Sequence, residues 1–369
     1  MLKRILALIW KELLATMRDP KSRISILLPP LIQLLIFTQA ATLDVKNVPI
    51  GILNRDNGEQ AFELVQRFHG TPFFSSIVYL KSVEEIKPFI DTQKGVMVVS
   101  IDEEFSRKLN QNQIAKIQLI LDGRKSNTAQ ILSGYTANIV QQYNKDFSAK
   151  RGIPQENVAL APRFWFNPNT TYSWYNIPSL VCLLSMLACL IVTTQSIARE
   201  RELGTFDQLL VSPMGLFEIL VGKAIPGILV GMAEGTVLMG LGILTFQVPF
   251  TGSLFLFFLS QFIFVCAISG FGLFISSLSS TQQQAMLGTF VFMLPSTLLS
   301  GFATPIENMP TWLQPVTYLM PLRYMLINTK GLFLKELPSD IVFSNIWPMA
   351  LIGIFTLSFA GIFFRKRFQ

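Results

Sequence analysis

The chain has 369 residues, of which 50% are hydrophobic and 14% are charged, and its mean hydropathy is +0.45. A soluble domain usually carries about 25% charged residues, so this composition argues against a soluble enzyme and favours a membrane protein. The formal net charge is +7, and two clusters of basic residues, at 1–23 and 365–367, lie beside apolar runs. They are interpreted as cytoplasmic membrane anchors and not as a nucleic-acid-binding face.

Residues 1–20 are predicted to form an amphipathic helix that lies in the inner membrane interface. Its apolar residues recur at helical spacing: Leu2, Ile5, Leu6, Ile9 and Leu13. Its charged residues are expected on other faces: Lys3, Arg4, Lys11 and Glu12. Asp19 and Pro20 would end the helix. A simple charged flank for the first membrane span is the alternative interpretation of this segment.

Six apolar runs are long enough to cross a bilayer, which takes roughly 20 residues each. They lie at about 24–43, 176–198, 219–246, 253–278, 283–303 and 342–364. The first is longer than the apolar region of a secretory signal, so 21–43 is interpreted as an uncleaved span. An even number of spans places both termini on one side, and the basic flanks assign that side to the cytoplasm.

The polar segment 44–173 is then expected outside the membrane, as a mixed α/β domain. Strands are predicted at 48–53, 76–80, 95–101 and 114–121. Helical pieces are predicted between and after them, at about 58–69, 82–93, 102–110 and 126–148. Asp122 has no partner acid or base at a telling spacing, so no catalytic residue is predicted here.

The residue types that build metal or catalytic sites are scarce. His69 is the only histidine, and the three cysteines lie within apolar runs at Cys182, Cys189 and Cys266. No metal site, catalytic triad or disulfide framework is therefore predicted. The phosphate-binding pattern G-x-x-x-x-G-K-[ST] is absent, because Gly222-Lys223 is followed by Ala224. Without that loop the chain is not expected to bind ATP and Mg²⁺ itself.

A charged loop, 199–213, separates the second and third predicted spans. Within it, Leu203, Phe206, Leu209 and Leu210 fall on one face of a short helix. A short interfacial helix between two spans would suit docking of a cytoplasmic partner. An ordinary solvated loop is the alternative.

Three segments carry a specific resemblance: 198–213 (ARERELGTFDQLLVSP), 276–285 (SSLSSTQQQA) and 301–324 (GFATPIENMPTWLQPVTYLMPLRY). They strongly resemble ABC-2 type permeases, the membrane subunits of ATP-driven exporters, and within that family the permeases of drug exporters. The resemblance covers essentially the whole chain. It implies an α-helical polytopic membrane protein of six spans, with an extracytoplasmic α/β domain inserted between the first two. Met320, where Asn is common, and Glu234 within a span depart from the family pattern.

The resemblance also implies roles for two segments. Residues 199–213 would be a coupling helix that rests on a separate ABC ATPase subunit, which would bind the ATP and Mg²⁺. The implied coupling residues are Arg199, Glu200, Arg201, Glu202, Gly204, Thr205, Gln208 and Leu209. Residues 305–328 would be re-entrant helices that close the outer end of the pathway. The implied gate residues are Pro305, Glu307, Pro321 and Arg323.

The implied assembly has two permeases, identical or related, that face each other across the substrate path among membrane lipids. The inner membrane of a bacterium is the expected location. The sequence leaves open the transported substrate, the choice between a homodimer and a heterodimer, and contact of the outer domain with a periplasmic adaptor.

Three functions stay open at this point. The first is the permease of an ATP-driven exporter of drugs or other amphipathic compounds. The second is a proton- or ion-coupled secondary transporter, supported by Glu234, which marks either a pathway or a structural hydrogen bond within a span. The third is a membrane-bound enzyme acting on lipids or envelope polymers, for which Glu307 and Arg323 are the main candidates.

Overall fold

The computed structural model describes residues 2–18, 20–39, 48–71, 73–122, 126–151, 171–206, 208, 211 and 214–366. It divides the chain into two compact units. The first comprises Met1–Thr42 and Arg163–Gln369, and the second comprises Leu43–Pro162. The first unit is built of helices, and the second combines helices with a four-stranded sheet.

The helical unit begins with α1 (Leu2–Arg18) and α2 (Pro20–Gln39) and continues after the second unit. Its later helices are α7 (Tyr172–Glu202), α8 (Leu216–Leu244), α9 (Leu254–Leu278), α10 (Gln282–Leu299), α11 (Pro321–Leu334) and α12 (Ser339–Lys366). Two 3₁₀ turns, Ile306–Asn308 and Gln314–Leu319, lie between α10 and α11.

Four of the described helices are long and apolar enough to cross a membrane: Tyr172–Glu202, Leu216–Leu244, Leu254–Leu278 and Ser339–Phe364. These match four of the six predicted spans. The helices α2 and α10 lie where the other two are predicted. With 18 residues and three glutamines at its start, α10 is short and polar at one end. The six-span count therefore stays a prediction.

The most apolar 18-residue stretch of α7 is wholly buried within the helical unit, which makes α7 its central element. Residues all round this helix are apolar or small, so it can pack on several sides at once. It contributes to a core shared with α8, α9, α11 and α12, in which Leu184, Phe264 and Met325 are completely buried.

The second unit contains a mostly parallel sheet of β1 (Val48–Asn54), β2 (Phe74–Tyr79), β3 (Met97–Ile101) and β4 (Ile117–Leu121) in the order β2-β1-β3-β4. Strand β1 runs parallel to β2 and β3, whereas β4 pairs antiparallel with β3. Every residue of β3 is buried, as expected for a strand covered on both faces. The strands lie close to the predicted positions; the side of the membrane that this unit faces stays a prediction.

The helices of this unit are α3 (Glu59–His69), α4 (Ile86–Asp91), α5 (Phe105–Asn110) and α6 (Ser126–Arg151). The segment predicted as one helix at 82–93 is a 3₁₀ turn, Val83–Glu85, that leads into the short α4. Strands and helices thus alternate along this unit.

The amphipathic helix α1 has its faces arranged differently from the prediction in one respect. Its buried residues are Ile5, Leu8, Glu12 and Thr16. The expectation that Glu12 and Ile5 lie on different faces is therefore wrong. The buried carboxylate of Glu12 forms an ion pair with the buried Lys223. Several large apolar side chains of α1 are exposed along an adjacent stripe: Leu2, Leu6, Trp10 and Met17. That stripe has the character expected of a helix lying in a membrane interface.

Candidate functional site

The end of α7 and the turn after it contain most of the predicted coupling residues. Arg199–Glu202 form the last turn of the long helix α7 and not the start of a separate short helix. The chain turns at Gly204, whose φ of +69° is a left-handed conformation that favours glycine. The backbone N–H of Thr205 then donates to the carbonyl oxygen of Glu200 at 2.9 Å. Of the later predicted residues, Gln208 is described as helical and Leu209 lies outside the described residues.

The end of α9 and the turn that follows it are bound to this end of α7. The hydroxyl of Ser276 accepts the backbone N–H groups of Ile197 and Ala198 at 3.0 and 3.2 Å. The guanidinium of Arg201 donates to the carbonyl oxygens of Ser277 and Ser279 at 2.7 and 2.9 Å. Residues 198–201 and 276–279, which belong to two of the segments singled out by sequence, are thus held together by hydrogen bonds.

Glu202 and Arg201 make further contacts at the end of α7. The backbone N–H of Gln282, at the start of α10, donates to the carboxylate of Glu202 at 2.8 Å. The guanidinium of Arg201 also lies over the ring of Phe206, 4.8 Å from its centre. These contacts hold the end of α7 and the first residues after it in a defined position. Leu203, by contrast, is 67% exposed on the turn.

A cluster of charged side chains, which we call the Lys223 cluster, lies between α1, α7 and α8 and consists of Lys11, Glu12, Glu200 and Lys223. The Nζ of Lys223 lies 2.9 Å from Oε1 of Glu12 and 3.3 Å from Oε1 of Glu200. Lys11 Nζ lies 2.6 Å from the same Oε1 of Glu200. The Lys223 side chain is 0% exposed. Two cations thus meet two carboxylates, so that the cluster is balanced in charge.

Ser196 supplies the hydrogen bonds that a buried ammonium group needs besides its ion pairs. Its carbonyl oxygen accepts from Lys223 Nζ at 3.1 Å, and its hydroxyl donates to Oε2 of Glu12 at 3.2 Å. The Oε2 atom of Glu200 is buried and has no hydrogen-bond partner among the described residues. A buried charge is tolerated only when it is paired and hydrogen-bonded, and Lys223 meets both conditions.

Close packing accompanies this cluster. A Cβ atom on Gly222 would lie only 2.5 Å from Cδ2 of Leu8, so glycine is needed where α1 meets α8. Gly222 and Lys223, which resemble a fragment of a phosphate-binding loop in sequence, thus serve the contact with α1. A cavity of about 660 Å³ opens beside the cluster, lined by α1, the end of α7 and the following turn, including Arg4, Arg199 and Gln208.

Sequence reasoning did not predict the Lys223 cluster. Its members are far apart in the chain: Glu12 and Lys223 are separated by 211 positions. Two local signals could have pointed to it. Glu12 falls at helical spacing from Ile5 and Leu8, and Lys223 lies in an otherwise apolar part of a predicted span.

Glu234 lies in the middle of α8 and is 7% exposed. Among the described residues it has no hydrogen-bond or ion-pair partner. Nearby, Gln261 of α9 donates its amide N–H to the carbonyl oxygen of Gly231 at 3.2 Å. The Oε1 atom of Gln261 is buried and also has no partner among the described residues. The interior of the bundle therefore contains two polar groups with unused acceptor capacity.

The predicted gate residues lie before and within α11. Pro305 and Glu307 are exposed at the first 3₁₀ turn, whereas Pro321 is buried at the first position of α11. Arg323 donates to the hydroxyl of Thr317, and its guanidinium lies 4.0 Å from the centre of the Tyr318 ring. The predicted re-entrant segment 305–328 thus consists of two short turns and a helix that extends to Leu334. In the described part of the chain, Glu307 and Arg323 form no ion pair with each other.

An apolar groove of about 1230 Å³ runs between α9, α10 and α12. Its wall is rich in aromatic side chains: Phe271, Phe274, Phe292, Phe355 and Phe359. A surface of this kind suits apolar or amphipathic molecules and offers few polar contacts to small hydrophilic ones.

Comparison with known proteins agrees with the motifs. A family model described as ABC-2 family transporter protein matches residues 21–362. The chain is 46% identical over 367 residues to the probable multidrug ABC transporter permease YbhR of Escherichia coli (strain K12), covering 100% of both chains. It is 31% identical over 358 residues to the probable multidrug ABC transporter permease YbhS of the same strain, covering 96% of this chain and 94% of that one. The inner membrane transport permease YhhJ, also of that strain, is 28% identical over 86% of this chain and 85% of its own length. These matches confirm the predicted resemblance to ABC-2 type permeases.

Proposed function

The chain belongs to the ABC-2 family of transporter proteins, and we propose that it is the permease of an exporter that moves drugs or other amphipathic compounds out across the bacterial inner membrane. Membership of this family makes it a transmembrane transport subunit and implies an ATPase partner. In our proposal that partner binds the ATP and Mg²⁺, and a second permease, identical or related, completes the pathway. Both termini are cytoplasmic, and the unit Leu43–Pro162 faces outward.

The observation that carries this proposal is the anchored end of α7. Arg201 ties it to the end of α9 and Glu202 ties it to the start of α10, while Leu203 and, farther along the chain, Val211 expose 67% and 85% of their surface. A rigid end with exposed apolar side chains suits docking of another protein, because burying such residues stabilises a complex. A force applied by an ATPase at this point would reach the interior of the bundle directly through α7.

The apolar groove between α9, α10 and α12 supports the choice of cargo. A drug-sized molecule commonly occupies a site of about 300–1,000 Å³ with mainly apolar walls, and the groove offers about 1230 Å³. The multidrug description of two relatives points the same way. The groove fits amphipathic compounds as a class and does not select one among them.

Glu234 favours a second candidate function, transport coupled to protons or ions. It is buried in α8 without a partner among the described residues, and ionisable groups within membrane spans tend to mark pathways. The two functions make different demands. An exporter needs the ATPase at the end of α7, whereas a secondary transporter needs a titrating group such as Glu234.

The proposed docking is tested with the double variant Leu203→Glu and Val211→Glu in tagged permease purified in mild detergent. Full burial of such a side chain is worth about 1.5–3 kcal/mol, and each 1.4 kcal/mol is about tenfold in affinity. We expect the variant to lose at least about 100-fold in affinity for the ATPase subunit, measured as ATPase activity that co-purifies.

The matched control is Ile114→Glu, which changes a side chain that is 84% exposed in the unit Leu43–Pro162. We expect this variant to retain the ATPase at the wild-type level. Equal retention by the double variant would show that the partner does not dock at the end of α7. Wild-type protein that carries no ATPase at all would favour the secondary transporter.

A further inference from the structure

The Lys223 cluster joins three helices that are distant in sequence. Lys223 belongs to α8, Glu12 to α1 and Glu200 to the last turn of α7. Glu200 is at the same time the residue whose carbonyl oxygen accepts the backbone N–H of Thr205, just beyond the turn at Gly204. The first residues after α7 are thus hydrogen-bonded to Glu200, whose carboxylate in turn pairs with Lys223.

The distances show that one ammonium group serves both carboxylates. Lys223 Nζ is within ion-pair reach of Glu12, at 2.9 Å, and of Glu200, at 3.3 Å. The Lys223 side chain is 0% exposed, so bulk solvent cannot hydrate its ammonium group. Loss of either carboxylate would therefore leave the buried positive charge of Lys223 poorly compensated. Both α1 and the end of α7 are thus held to α8 by the same atom.

Packing alone would not give this link. The contact between Leu8 and Gly222 is close, but it joins only α1 to α8 and does not reach the end of α7. Lys11, which also pairs with Glu200, is 57% exposed, and an exposed ion pair contributes little. Lys223 is the member of the cluster that is both fully buried and shared.

We propose that Lys223 is a positioning residue of the transport cycle, which keeps α1 and the end of α7 bound to α8 so that the three helices move as one body. This inference rests on the proposed function, since the movement it transmits is the one that the ATPase imposes at the end of α7. It assigns to α1 a role in the moving part of the permease and not only in anchoring the chain to the membrane.

The test measures the contact itself. In the double variant Leu8→Cys and Gly222→Cys, the two Cβ atoms would lie about 3.2 Å apart, a few tenths of an ångström below the usual disulfide range. The native cysteines are replaced by serine, and disulfide yield is measured in the complex with its ATPase, with and without ATP and vanadate. We expect a high yield in both states, and a yield at least about fivefold lower when Lys223→Gln is added. Lys3→Gln, an exposed lysine of α1, is the matched control and should leave the yield unchanged.

A second measurement separates coupling from folding. The double variant Glu12→Gln and Lys223→Gln removes one charge of each sign, leaves Glu200 paired with Lys11 and creates no large cavity, so it should still insert and bind the ATPase. In proteoliposomes we expect it to move at least about tenfold less ethidium per ATP hydrolysed than the wild type. When Leu8→Cys and Gly222→Cys are added to this background, oxidation of the two cysteines to a disulfide should restore the amount of ethidium moved per ATP hydrolysed. Reduction of the disulfide with dithiothreitol should lower that amount again.

Three results would overturn the inference: a disulfide yield that falls when ATP binds, a yield that does not depend on Lys223, or a disulfide that blocks transport in the wild-type background. Failure of the proposed function has a different signature. If the wild-type complex moves no ethidium with ATP while the disulfide yield is high and depends on Lys223, the exporter proposal fails and the link between the helices stands.

Discussion

Lys223 and Glu234 lie on the same helix, yet their surroundings differ completely. Lys223 has two carboxylates and a backbone carbonyl within reach, whereas Glu234 has no partner among the described residues. Removing one partner of a buried ion pair typically costs about 3–5 kcal/mol, although replacing the whole pair by neutral groups is often nearly neutral. The Lys223 cluster therefore serves mainly to fix the positions of α1, α7 and α8 relative to one another, and it contributes little net free energy to folding.

Glu234→Gln is the most direct test of the unpartnered carboxyl group. The two side chains have nearly the same volume, so we expect unchanged expression and unchanged co-purification of the ATPase. If Glu234 takes part in the pathway, ATP-dependent ethidium transport should fall about tenfold or more, and its dependence on pH should flatten. Transport is measured in proteoliposomes between about pH 6 and pH 8.

Gln261→Glu provides the counterpart on the neighbouring helix. It places a second carboxyl group in the same part of the bundle, on a residue that is 0% exposed. A pathway role for Glu234 predicts that this change alters the same pH dependence. Full activity of Glu234→Gln over the whole pH range would assign Glu234 a purely structural role.

At the scale of elements, α7 connects the interior of the bundle to the proposed docking surface. The helix is packed on all sides over its most apolar stretch, and the hydrogen bonds of Arg201 hold its end in place. A hydrogen bond from a charged donor contributes about 1.5–3 kcal/mol, and Arg201 makes two of them, to carbonyl groups at the end of α9 and in the turn that follows. The positions of both segments in the chain gave no hint of this pairing.

Arg201→Ala should therefore weaken coupling without removing the exposed side chains that would bind the ATPase. We expect the complex to assemble, ATP hydrolysis to continue and ethidium transport per ATP to fall about tenfold. Arg201→Lys keeps the charge but cannot present the same two donors, and it should fall between the wild type and the alanine variant. The control is Arg107→Ala, an exposed arginine in the unit Leu43–Pro162. Equal ethidium transport per ATP in the wild type, Arg201→Ala and Arg201→Lys would show that the hydrogen bonds of Arg201 are not needed for coupling.

The positions of the strands and of the long helices could be predicted from sequence, because they depend on local composition and periodicity. The four strands of the second unit follow short apolar runs, and the long helices follow apolar stretches, because burial of each segment depends mainly on its own composition. The Lys223 cluster depends on tertiary contacts between residues such as Glu12 and Lys223, 211 positions apart. A charged residue on a short amphipathic helix looks solvent-exposed in sequence when its partner lies in a different span.

The whole molecule raises the question of which unit faces which side of the membrane. Four described helices satisfy the length and hydropathy expected of spans, whereas α2 and α10 are interpreted as spans from sequence. If both cross the membrane, the termini share a side with Leu203, and the unit Leu43–Pro162 lies on the other. If one of the two does not cross, every segment after that helix lies on the opposite side from the one predicted.

Single cysteines on either side of α2 and at the end of α7 test whether α2 crosses, in a variant whose native cysteines are replaced by serine. Lys94→Cys reports the unit Leu43–Pro162, Leu203→Cys reports the end of α7, and Lys3→Cys reports α1; all three positions are exposed. In spheroplasts treated with a membrane-impermeant maleimide, we expect labelling at position 94 alone, with positions 3 and 203 labelled only after the membrane is opened. The positively charged flanks of the chain favour this orientation. Labelling at position 203 in intact spheroplasts would place the end of α7 out of reach of a cytoplasmic ATPase and would contradict both the topology and the exporter proposal.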